Sequence, residues 1–124
     1  LVAMKRSDVL LVNPIIDGMN LVAKEGAIVN QRDGVLVLSR TAGAYSQLAE
    51  AALPVTATDI VETAEQLHEA LIMSARERQQ RAEKAREIVY SSSPTQWALD
   101  QLRDAALTRP APPARTRRQK SHAV

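Results

Sequence analysis

The chain has no cysteine and no phenylalanine, and aromatic residues make up only 2% of its 124 positions. Without cysteine there are no disulfides and no thiolate metal sites, which fits a reducing cytoplasm, the expected location. With so few aromatics the core must be aliphatic, assembled from Leu, Val, Ile and Ala. No apolar run approaches the ~20 residues of a membrane span. The opening, Leu1-Val2-Ala3-Met4-Lys5-Arg6, puts charge after the apolar residues rather than before them, unlike a signal peptide. Acid is missing too, from one end only. Five of the 16 basic residues, Arg109, Arg115, Arg117, Arg118 and Lys120, lie past the last acid, Asp104. The remaining 11 face all 14 acids, a balance of −3 for the part that folds. Residues 108–124, with Pro110, Pro112 and Pro113 among the arginines, read as a disordered basic tail. That tail has no aromatic residue to stack on bases, so nucleic acid is not an expected partner, and neither is a membrane.

What is present is a repeated strand signature. Val9-Leu10-Leu11-Val12 is a short unbroken apolar run that stops at Asn13-Pro14, as a buried parallel strand would. Asp17-Gly18 makes a turn, and from about Asn20 the spacing of Leu21, Val22, Ala23, Ile28 and Val29 suits a helix. Val35-Leu36-Val37-Leu38 repeats the strand pattern after a turn at Asp33-Gly34. The reading is a right-handed βαβ unit with a parallel sheet. Strand, glycine turn, helix is a geometry that points free N–H groups at an anion. Two acids frame it. Asp17 lies in the loop, and Glu25 lies roughly 6–8 Å beyond the first helical amides at about 1.5 Å per residue. On the residues alone two readings stand: an anion-binding loop, or plain architecture with Asp17 as a turn residue and Glu25 as a solvated helix position.

The block Asp17-Gly18-Met19-Asn20-Leu21-Val22-Ala23-Lys24-Glu25 resembles the donor-site signature of the trehalose-6-phosphate synthase family, retaining nucleotide-sugar glycosyltransferases of the GT-B fold. The resemblance continues through Gly34-Val35-Leu36-Val37-Leu38-Ser39, Thr41-Ala42-Gly43-Ala44 and the Trp97 helix, roughly residues 2 to 107. It implies a partial Rossmann-like nucleotide-sugar-binding domain over residues 1–107 and a transfer of glucose from a nucleoside diphosphate glucose to glucose 6-phosphate. By the same resemblance Asp17 is the catalytic-site carboxylate and touches the donor sugar. The backbone of Gly18, Met19, Asn20, Leu21 and Val22 holds sugar and diphosphate, and Glu25 binds the ribose. No metal and no cofactor are implied. Arg40 and Gly43, on the loop after the second strand, are second-rank candidates.

Here Asn13-Pro14-Ile15-Ile16 stands where the family usually carries Thr-Pro-Leu-Arg, which leaves room for a related synthase with another acceptor, such as glycerol 3-phosphate. The sugar-phosphate acceptor is expected to be held by an N-terminal domain not included in this chain. The chain itself is expected to be the C-terminal part of a longer enzyme or a separate truncated product, inactive alone because it supplies half a site. A non-catalytic fragment is the alternative, and an oligomer is left open. For the remainder, a helix is expected over residues 45–52 and a short edge strand at Leu53-Pro54-Val55. The next helix is expected to bury Ile60, Val61, Ala64, Leu67, His68 and Leu71, with His68 at the border of that face. A charged helix over residues 75–89 carries a Glu77–Arg81 pair.

Overall fold

The computed structural model describes residues 2–91 and 94–107. Helix α1 (Val2–Arg6) leads into strand β1 (Val9–Val12), and helix α2 (Leu21–Val29) carries the chain to β2 (Val35–Ser39). A single helical turn α3 (Tyr45–Leu48), shorter than the sequence suggests, precedes β3 (Leu53–Val55). Helices α4 (Ile60–Ile72) and α5 (Ala75–Ser91) follow. Helix α6 (Pro94–Leu107) belongs to a separate unit and is described by itself. The basic tail, residues 108–124, lies outside the described residues. No helix among the described residues is long and apolar enough to cross a membrane.

The architecture is α/β, as the repeated apolar runs predict. The three strands form one parallel sheet in the order β1-β2-β3, with Val9 opposite Val35 and Val37 opposite Leu53. Strand β2 is central and buried along its whole length, which is why it can be apolar without alternation. Its side chains feed two aliphatic cores. Leu36 and Leu38 pack with Val12, Ala23, Leu48 and Ala85 on one face, while Val35 and Val37 pack with Leu53, Val55 and Ala70 on the other. Full burial of a Leu or Val side chain contributes about 1.5–3 kcal/mol.

Two expectations fail. Strand β1 is buried only at Val12: Val9 and Leu10 are half-buried and Leu11 is 41% exposed. It forms an edge of the sheet, so among the described residues only β2 pairs with it. Helix α4 is also rotated from the expected face. Ala70 is buried with Leu67 beside it, whereas Ile60, Val61, Ala64, His68 and Leu71 are exposed. The reason lies at its N-terminus. Asp59 caps the Glu62 N–H, and the Glu62 carboxylate accepts from Thr56 N–H at 2.7 Å and meets Arg40. These bonds fix the roll of the helix before its apolar stripe can choose a partner.

At the opposite end of the sheet, α5 is clamped to the α2–β2 turn. Arg78 donates to the carbonyls of Asp33 and Arg32 and to the Asp8 carboxylate, and Arg86 reaches Asp33 Oδ1 at 2.6 Å. Asp33, not Gly34, takes the left-handed backbone there, with φ 50°. Arg78→Ala should lose about 1–2 kcal/mol in urea unfolding, because three hydrogen bonds to a partly buried guanidinium go at once. Arg81→Ala, which removes only the i,i+4 pair with Glu77, should lose a few tenths of a kcal/mol. Equal losses from the two variants would show that the clamp adds nothing to the fold.

Candidate functional site

The loops that leave β1 and β2 meet at the carboxyl ends of the strands, the rim where ligands bind in open α/β sheets. They are joined backbone to backbone. Gly43 N–H donates to Asp17 O at 2.8 Å, Asp17 N–H to Thr41 O at 3.4 Å, and Asp17 and Ala42 form a parallel bridge. A Cβ on Gly43 would overlap the Gly18 carbonyl oxygen and come to 3.0 Å from Met19 N. Position 43 therefore has to be glycine for the loops to touch. Gly18 is the opposite case. Its φ is not positive, and a Cβ there would meet nothing within 4 Å. Nothing inside the described chain requires glycine at 18, and the space beside it is open.

Asp17 works inward. Its Oδ1 accepts from the N–H groups of Met19 and Asn20, both at 3.1 Å, and its Oδ2 accepts from Asn20 Nδ2 at 3.0 Å. Asn20 sits in the left-handed region at φ 65° and uses its own Oδ1 to cap Ala23 N–H at 3.0 Å. The two side chains thus form a double cap that closes the turn and starts α2. A carboxylate offers about four acceptor positions, and three are filled here, which leaves one on Oδ2. The cap also divides the amides: those of Met19, Asn20 and Ala23 are taken, while Leu21 and Val22 N–H have no acceptor among the described residues. Glu25 stands exposed further along α2, with no salt bridge to another described residue. Asp17 to Val22 therefore lie together where the β1 loop passes into α2, with Glu25 further along the helix, and Asp17 is bound up in its own loop.

Arg40 is committed elsewhere. Its guanidinium contacts Glu62 Oε1 at 2.8 Å and donates to Thr56 Oγ1 at 3.0 Å. The hydrogen bond from Arg40, joined by the Thr56 backbone N–H, holds the Glu62 carboxyl down to about 2, and the same bond raises Arg40. Arg40 ties the β2 loop to the start of α4, so it is not available as a free cation on the rim. The loop just before Asp17 is apolar and exposed, Ile15 at 73% and Ile16 at 85%. Sequence reading missed Thr41, whose hydroxyl donates to Pro14 O at 3.1 Å. A partner 27 positions away leaves no local signal.

The sequence profile of glycosyltransferase family 20 matches residues 1–106. A bifunctional trehalose-6-phosphate synthase/phosphatase of Thermoproteus tenax is 44% identical over 96 residues, covering 76% of this chain and 13% of the relative. A solved E. coli trehalose-6-phosphate structure bound with UDP-2-fluoro glucose superposes with a TM-score of 0.77 at 38% identity, over 87% of this chain and 24% of that one. A UDP-forming α,α-trehalose-phosphate synthase from Burkholderia xenovorans in complex with glucose-6-phosphate gives 0.76 at 39% identity, over 83% and 23%. This chain spans a quarter or less of the length of each of these proteins.

Proposed function

The chain belongs to glycosyltransferase family 20, and from that membership we propose that it forms the donor-nucleotide part of a retaining glucosyltransferase of the trehalose-6-phosphate synthase type. The donor is a nucleoside diphosphate glucose and the acceptor a sugar phosphate, glucose 6-phosphate in the first instance. The observation that carries the reading is the family's nine-residue block folded as turn and helix start, with two amides left unpaired beside an open glycine. Charge builds on the diphosphate as the glycosidic bond breaks, and fixed N–H dipoles at Leu21 and Val22 meet it without reorganising. Gly18 lets the diphosphate or the sugar approach the backbone. The one open acceptor position on Asp17 Oδ2 takes a sugar hydroxyl and orients the ring as it moves toward an oxocarbenium ion. Asp17 acts as neither nucleophile nor general base, since its oxygens are already held by the loop. Glu25 binds the ribose hydroxyls. Acceptor contacts come from parts of the family fold outside this chain. The exposed Ile15 and Ile16, where a charge stands in the usual motif, favour a second reading, a relative that takes an acceptor other than glucose 6-phosphate.

Titration of UDP-glucose or GDP-glucose into the isotopically labelled chain, followed by NMR, tests the reading. Amides of Gly18 to Val22 should shift at millimolar ligand, and Glu25→Ala should weaken uridine diphosphate roughly tenfold while leaving inorganic pyrophosphate unaffected. The chain alone should form no trehalose 6-phosphate. Shifts confined to other elements, or equal losses for both ligands, would contradict the assignment.

A further inference from the structure

We propose that Thr41 and Ser39 are positioning residues that set the Asp17 loop, through a chain of hydrogen bonds running from the buried end of β2 to the carbonyl of Pro14. Ser39 closes β2 and is fully buried. Its hydroxyl lies 2.8 Å from Thr41 Oγ1 and accepts from Thr41 N–H at 3.3 Å. Thr41 Oγ1 in turn donates to Pro14 O at 3.1 Å. A hydroxyl has one proton. Thr41 gives its own to Pro14, so Ser39 O–H must donate to Thr41 Oγ1, and the direction of the chain is fixed.

The loop has little else to hold it at that point. Half-buried Asn13 donates to Ala57 O at 3.4 Å, but Pro14 has no N–H, and Ile15 and Ile16 are 73% and 85% exposed, so burial does little to anchor the two residues just before Asp17. Further on, Asp17 N–H reaches Thr41 O only at 3.4 Å, while Gly43 N–H to Asp17 O is short at 2.8 Å. The Thr41 hydroxyl is thus the grip on the upstream half of the loop, and Gly43 the grip on the downstream half. Both come from one turn that is seated on the buried Ser39. Residues 39, 41 and 43 hold the loop from one turn, and the position of the Asp17 carboxylate follows from them.

The functional meaning rests on the donor reading above; the measurement does not. Amide hydrogen exchange of the full chain is compared for wild type, Thr41→Val, Thr41→Ser and Ser39→Ala. Valine keeps the shape of threonine without its hydroxyl, and serine keeps the hydroxyl. The Asp17 and Gly43 amides should exchange roughly five- to tenfold faster in Thr41→Val and Ser39→Ala, remain at the wild-type rate in Thr41→Ser, and leave the β2 amides unchanged. Unaltered exchange in Thr41→Val, equal acceleration in Thr41→Ser, or acceleration that spreads through β2 would overturn the proposal. A chain that exchanges as expected but binds no uridine diphosphate would remove the donor reading and leave the positioning chain standing.

Discussion

Gly43→Ala is expected to abolish measurable nucleotide binding while the sheet stays folded. The added methyl would overlap the Gly18 carbonyl oxygen and crowd Met19 N, all of it backbone that cannot turn aside as a side chain can. Either the Gly43 N–H to Asp17 O bond opens or the 17–19 turn moves outward. Overpacking of this kind costs about 1–3 kcal/mol, and the displaced turn is the one that presents the free amides of Leu21 and Val22. A loss of roughly ten- to a hundredfold in affinity follows if that strain falls on the bound loop. Gly18→Ala supplies the contrast. With nothing within 4 Å, its methyl should leave the unfolding midpoint unchanged or raise it slightly by restricting the unfolded chain, yet fill the space a diphosphate would occupy. Thermal unfolding and UDP-glucose titration of both variants separate the cases. Wild-type binding by Gly18→Ala would remove the close-approach argument, and wild-type binding by Gly43→Ala would show that the two loops need not touch.

The contrast between these glycines was not visible in the chain order. Both stand after apolar runs, and both belong to the family block or its neighbour. What separates them is contact across 25 positions, which periodicity does not encode. The strands and α2 were legible because their signals are local: unbroken apolar runs for β1 and β2, and the Asp17-Gly18 turn followed by helical apolar spacing for α2. Strand β1 misled for the reason that its four residues say nothing about what lies beyond its outer edge. Helix α4 misled differently. Its apolar residues offer two overlapping stripes, and the choice was made by Asp59, Glu62, Thr56 and Arg40, polar side chains whose pairing a hydropathy pattern ignores. Arg40 looked available for the same reason. Asn30 is a further example: its amide donates to Met4 O and Ser7 O at 2.9 Å and its oxygen accepts from Gly34 N–H at 2.8 Å, knitting α1 to the α2–β2 turn. The turn is announced by Asp33-Gly34, but nothing local marks an asparagine that organises three segments.

Asp17 has two tasks, and a swap of side chains should part them. Its Oδ2 accepts from Asn20 Nδ2, so in Asp17→Asn an NH2 group would face another NH2 group. Relief by flipping Asn20 would turn its oxygen away from Ala23 N–H and forfeit the helix cap, which is worth about 1 kcal/mol. Asp17→Asn should therefore destabilise the chain by about 1–2 kcal/mol despite its similar shape. The double variant Asp17→Asn with Asn20→Asp restores the match: the new amide at 17 donates to a carboxylate at 20, whose other oxygen caps Ala23. Stability in urea should return to within about 0.5 kcal/mol of wild type. Sugar binding should not return, because the open acceptor position on Oδ2 has become a donor. In a complete enzyme containing this segment, that loss falls on the transition state, so turnover should drop roughly ten- to a hundredfold with a smaller change in donor KM. Recovery of both stability and turnover in the double variant would mean that Asp17 only shapes the loop. Recovery of neither would mean that the Asp17–Asn20 bond is not what closes it.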